Sequence, residues 1–181
     1  MSQRRQDRQR QQRRDELERA MARVEAGEDL GVPGLATRAF AEPESLFFPE
    51  HGELVAGLAE VLAGEGLVEA CLALARHLEE DRDHWLRRLA LVEANPRLRA
   101  WRAALDLDYL AVFSAHFRRW GAGGVQGERV AELEASCALG ALQGALRLWV
   151  QAGGRPVLPV LMQEALAVLW PALYAHARRH S

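Results

Sequence analysis

Residues 35–54 read LATRAFAEPESLFFPEHGEL, and the reading of the whole chain turns on this stretch. Leu35–Phe40 is a short apolar run that predicts a helix. Pro43 can open another helix at its first position, where a missing N–H costs nothing. Pro49 closes that helix after about six residues, because proline cannot continue the hydrogen-bond ladder. Upstream, Leu17, Ala20, Met21 and Val24 fall at i, i+3, i+4 and i+7 on one helical face, and Gly27 stops that helix. Between the two lies Glu28–Gly34, where Gly31, Pro33 and Gly34 read as a turn.

Downstream, helical spacing continues without interruption by strand signals. Glu53 to Gly64 carries Leu54, Val55, Leu58, Val61 and Leu62, and the Gly64–Gly66 pair breaks it. Leu67–Leu78 and Asp83–Glu93 read as two further helices. Asn95–Pro96 is a turn from which a helix runs to Trp120. Gly121–Gly127, with four glycines in seven residues, is expected to be a loop. A long helix from Glu128 to Ala152 ends at Gly153–Gly154, and a last one runs from Val157 or Pro159 to about Arg178, with Pro171 as an expected kink. β-branched residues are scarce and no alternating run is bounded by turns, so the fold class is all-α. The short helices at the start resemble a helix-turn-helix head over residues 12–56, preceded by a flexible Arg-rich arm over 1–11. The long helices form a body over 57–181.

Composition fits a globular chain: 49% hydrophobic and 27% charged over 181 residues. No apolar run reaches the roughly 18 residues needed to cross a bilayer, and the Arg-rich start lacks the apolar core of a signal peptide. These features imply a cytoplasmic protein. Cys71 and Cys137 sit inside separate apolar runs and read as buried structural thiols. Arginine alone carries the positive charge, since the chain has no lysine. It is unevenly spread. Arg4, Arg5, Arg8, Arg10, Arg13, Arg14, Arg19 and Arg23 crowd the start, whereas no arginine falls between Arg38 and Arg76, where Glu42, Glu44, Glu50, Glu53, Glu60, Glu65 and Glu69 accumulate.

The 35–54 stretch resembles the helix-turn-helix signature of TetR-type transcriptional regulators. Leu35, Ala36 and Ala39 match the core of that family's second helix, Leu46 and Phe47 stand where it has Leu and Tyr, Phe48 and Pro49 resemble its Phe-Pro step, and Leu54 its closing Leu. The runs Leu91–Arg99 and Ala138–Leu146 through Trp149 to Gly154 are similar to later helices of many members. Phe40 replaces the turn glycine, Glu42 the small polar cap, and His51 a phosphate-contacting lysine; Phe47 lacks the tyrosine hydroxyl. The resemblance implies a ligand-responsive homodimeric regulator, a repressor on this reading, that binds operator DNA. Its DNA contacts would be Arg13, Arg14, Thr37, Arg38, Ser45, Phe47 and His51. A small lipophilic or aromatic effector would sit among Trp85, Leu89, Trp101, Leu105, Tyr109, Phe113 and His116, residues that equally read as core. Two apolar helices near the end would pair with those of a second copy through Leu142, Leu146, Trp149, Leu161 and Leu169.

The acidic 39–75 stretch opposes DNA, because carboxylates near phosphates repel them. That leaves a second reading open: a protein of the same shape whose head no longer reads sequence and serves as a sensor or interaction module. Other constellations point to ordinary surface chemistry. His77 and His84 lie two turns apart, too far for one ion; His176 and His180 sit beside Arg178 and Arg179 at a helix end they would favour electrostatically. Ser114, His116 and Ser136 lack a third member for nucleophilic chemistry, and Gly121–Gly127 lacks the lysine of a phosphate loop. Nothing in the sequence argues for catalysis, a metal or a cofactor.

Overall fold

Apolar runs punctuated by glycine and proline become seven α-helices and one 3-10 helix in a computed structural model that describes the backbone of residues 2–28, 43–121 and 123–177. They are α1 (Ser2–Glu25), a 3-10 turn (Pro43–Phe47), α2 (His51–Gly64), α3 (Leu67–Glu80), α4 (Arg82–Ala94), α5 (Pro96–Trp120), α6 (Gly124–Gln151) and α7 (Leu158–Ala177). No strand occurs among the described residues, and no helix there is long and apolar enough to cross a membrane. The predicted helix at 35–40 lies outside the described residues.

Several ends follow from local chemistry. Gly27 takes φ +83°, and the Glu28 N–H donates to the Arg23 carbonyl while the Gly27 N–H donates to Val24, which closes α1 in a Schellman motif. Asn95 caps α5, its Oδ1 accepting from the N–H groups of Arg97 (2.9 Å) and Leu98 (3.3 Å), with Pro96 in the first helical position. The first N–H of α7, on Leu158, donates instead to Glu79 Oε1 of α3 at 2.5 Å.

Three expectations are corrected. Within the expected flexible arm, residues 2–11 are helical and belong to α1. The expected helix between the two prolines is a five-residue 3-10 turn. The glycine-rich loop is half absorbed by α6, which starts at Gly124 and buries Gly127.

The chain divides into two compact units that are interleaved in sequence rather than consecutive at residue 56. One comprises Met1–His51 with Arg87–Ala104, the other Gly52–Leu86 with Leu105–Ser181. In the first unit, the head, Leu17, Ala20 and Met21 of α1 pack with Leu46 and Phe47 of the 3-10 turn, Val92 of α4 and Leu98 of α5. In the second, the body, α7 packs along α6 and also against α3. Its core includes Leu58 and Leu62, Cys71 and Leu74, Phe113, Leu142 and Trp149, and Leu158, Met162 and Leu166. The loop that follows α6 is pinned where Gly154, at φ +80°, offers its carbonyl to Arg82 Nη2 at 2.5 Å. That positive φ favours glycine, and a Cβ there would also displace the Arg82 side chain.

Candidate functional surfaces

The head is described first. Arg13 and Arg14 continue, one turn earlier, the helical stripe that Leu17, Ala20 and Met21 bury, yet both are exposed, as are Arg8 and Arg19. The N-terminal half of α1 therefore extends beyond the core that its C-terminal half packs upon. Asp15 and Glu16 on the same helix accept from Gln11 (2.9 Å) and Gln12 (3.2 Å).

Two of the acids expected to oppose DNA, Glu44 and Glu50, are ion-paired within the head, and Glu42 lies outside the described residues. Glu44 is only 7% exposed and is ion-paired with Arg97. Glu50 pairs at 2.8 Å with Arg88, which is 2% exposed. Arg88 also donates to the Phe47 carbonyl at 2.6 Å, and its guanidinium carbon lies 5.9 Å from the Phe48 ring centroid. Arg87, next to it, binds Glu18 (2.7 Å) and Glu25 (2.6 Å) of α1. The hydrogen bond from Arg87 holds the Glu25 carboxyl below its ordinary pKa, burial opposing and the arginine's charge reinforcing it. Sequence reasoning missed this arginine pair. The signal was present: Arg88 occupies an apolar-stripe position among Trp85, Leu89 and Val92, at i, i+3, i+4 and i+7.

Among the other expected DNA contacts, Thr37 and Arg38 lie outside the described residues. Ser45 and His51 are half-buried. Phe47 is corrected: with 0% exposure it belongs to the head's core and cannot reach a ligand without unfolding it.

The expected pocket residues are divided between the two units. Trp85 and Phe113 are buried, Leu105 and Tyr109 half-buried, whereas Leu89 and Trp101 belong to the head. A half-open cleft of ≈ 260 Å³ lies between α2 and the end of α5, lined by Ala59, Leu62, Ala63, Val112, Ala115, His116, Arg119 and Trp120. Only His116 of the expected set lines it. Its imidazole is held below the ordinary histidine pKa chiefly by burial; a hydrogen bond to the Leu62 backbone opposes the shift, and the charge of Arg119 adds to it. The signal that could have found the cleft is the Arg119–Trp120 pair, a cation beside an aromatic at a helix end.

Of the expected dimer residues, Leu142, Trp149 and Leu161 are corrected. Leu142, Trp149 and Leu161 are buried within the body of a single chain, Leu146 is half-buried, and the Leu169 side chain lies outside the described residues. At 100° per residue, Leu142 and Trp149 point opposite to Leu133, Gly140 and Gly144 on α6, with Leu148 at the flank of that second face. Leu133 and Leu148 of that second face are exposed, and a Cβ on Gly140 or Gly144 would meet open space.

Among the described residues, no group of three or more His, Cys, Asp and Glu side chains could hold a metal ion. His77 faces Glu80 at 3.3 Å on the surface. Ser114 donates to Glu132 (3.1 Å) and Ser136 to the Glu132 carbonyl (2.8 Å), so both hydroxyls serve helix contacts. Cys71 is fully buried, and burial pushes its thiol up to about 12; Cys137, expected to be buried as well, is exposed. In comparisons with known proteins, the chain matches no family model, no curated protein and no solved structure.

Proposed function

We propose that this protein is a ligand-responsive, TetR-like transcriptional regulator that binds operator DNA as a homodimer. The observation that carries the DNA half is the disposition of charge in the head. Glu44 and Glu50 are tied to Arg97 and Arg88, while Arg8, Arg13, Arg14 and Arg19 stand exposed along α1. A polyanion approaching α1 meets cations first, and each phosphate neutralised adds salt-dependent affinity. The exposed leucines Leu133 and Leu148 of α6 support the dimer: they would gain from cover, and the open space beside Gly140 and Gly144 leaves room for close approach. The cleft beside His116 supports the sensing half.

A second reading, a sensor or interaction module that does not read sequence, is favoured by one specific observation. The segment that would enter the major groove is a five-residue 3-10 turn whose Leu46 and Phe47 are buried. A single experiment separates the two. The chain's own promoter DNA and a scrambled duplex are titrated at several salt concentrations, with sedimentation equilibrium reading the stoichiometry. The regulator reading requires tighter binding to the promoter. It also requires a log–log salt slope that becomes shallower by about 1–2 when Arg13 and Arg14 are both changed to Ala. Equal affinity for both duplexes, or none at low salt, selects the second reading.

A further inference from the structure

Arg118 and Arg119 are neighbours at the end of α5, but among the described residues only Arg118 has a carboxylate partner. Arg118 is ion-paired with Glu132 on α6. Arg119 has no carboxylate partner among the described residues, and it is held instead over Trp120, its guanidinium carbon 5.4 Å from the ring centroid. Trp120 itself is 70% exposed, a large apolar surface left at the mouth of the cleft. The cleft's apolar lining includes buried Leu62 and half-buried Val112, and among the described residues no acidic side chain lines the cavity. His116 adds the one other polar group; a neutral imidazole can donate and accept hydrogen bonds without adding charge.

We propose that this cleft binds a compact carboxylic acid, its carboxylate taken by Arg119 and its apolar body covered by Trp120 and the α2–α5 lining. The guanidinium fork matches a carboxylate in a bidentate geometry. One unpaired cation matches one negative charge; the second cation that a phosphate monoester would call upon is already spent on Glu132. The volume of ≈ 260 Å³ falls just short of the roughly 300–1,000 Å³ of drug-sized ligand sites, which selects a small body such as a phenylalkyl chain. The inference deepens the sensing half of the proposed function and rests on it.

The test compares three probes of one shape, phenylbutyrate, phenylbutanol and phenylbutylamine, by calorimetry on the full chain. Fluorine NMR of fluorotryptophan-labelled protein, with the Trp120 signal assigned by Trp120→Phe, locates the binding. The acid should bind about tenfold or more tightly than the alcohol, and the amine should be weaker still. Arg119→Gln should erase the difference between acid and alcohol, whereas Ala115→Leu, which fills the cleft and leaves Arg119 in place, should weaken both. Because Arg119 and Ala115 are exposed, both variants keep the wild-type melting curve, which serves as the folding control. Equal binding of acid and alcohol overturns the proposal, as does acid preference that survives Arg119→Gln, or saturation without a shift at Trp120. Absence of saturable binding does so too. DNA titrations run without the acid report on the head separately, so loss of this site is distinguishable from loss of the DNA-binding reading.

Discussion

Arg88 joins three partners through one guanidinium: a backbone carbonyl at Phe47, a carboxylate at Glu50 and the Phe48 ring. Each belongs to the segment just after the 3-10 turn or to its last residue, so this side chain fixes where that turn lies against α4. A charge at 2% exposure is tolerated because its donors are occupied, and removing it leaves the Phe47 carbonyl without that donor. Arg88→Leu keeps the stem's bulk but loses those bonds. It should cost about 1–3 kcal/mol, because the buried Phe47 carbonyl loses its donor. Thermal unfolding followed by circular dichroism should shift down in proportion. Arg88→Lys should recover only part of it, since a single ammonium cannot span the same fork. A variant with an unchanged melting point would show that the bonds around Arg88 contribute nothing to the head.

At the scale of the helix, the best-read features were those decided within a few residues. Asn95 followed by Pro96 states a helix start, and the structure places the cap there, with two N–H groups on Asn95 Oδ1. Asn95→Ala should therefore destabilise by about 1 kcal/mol, with Asn95→Ser or Asn95→Asp largely silent; urea denaturation of the three variants checks the order. Gly27 and Gly153 were likewise legible as stops, because a positive φ is a local demand. Features set by distant packing were not. Two prolines bracket 43–49 as they would bracket an α-helix, but burial of Leu46 and Phe47 against α1 yields a 3-10 turn instead. Gly123, Gly124 and Gly127 read as loop by propensity, yet Gly127 is buried in α6, where tertiary contact outweighs the roughly 1 kcal/mol per glycine. The apolar surface of α6 spans two sides, and spacing alone cannot tell which one the same chain covers. Leu142 and Trp149 proved to be inside and Leu133 and Leu148 outside. The full lining of the cleft was hidden for a related reason: Ala59, Leu62 and Ala63 are brought to Arg119 and Trp120 only by the fold, from about a third of the chain away.

Across the whole molecule, the chain passes between the two units three times, and the head takes Arg87–Ala104 from between stretches of the body. Val92 and Leu98, both at 0% exposure, are part of the head's core, and Arg87, Arg88 and Arg97 supply its ion pairs. A fragment ending at residue 56 lacks all of them. It should show no protected amides in hydrogen exchange over 15–25 and no cooperative melt, whereas a fragment of residues 1–104 restores every partner of the head's core. Protection in the shorter fragment would mean that α1 and the 3-10 turn suffice.

The same interleaving has a consequence during synthesis. Leu17 and Met21 emerge long before Val92 and Leu98 that cover them. At about 5–20 residues per second, the N-terminal helix spends several seconds outside the ribosome with its greasy stripe bare. Nascent chains of this protein should thus be clients of whatever holdase waits at the exit tunnel, and slowing translation between codons 50 and 98 would lengthen that dependence.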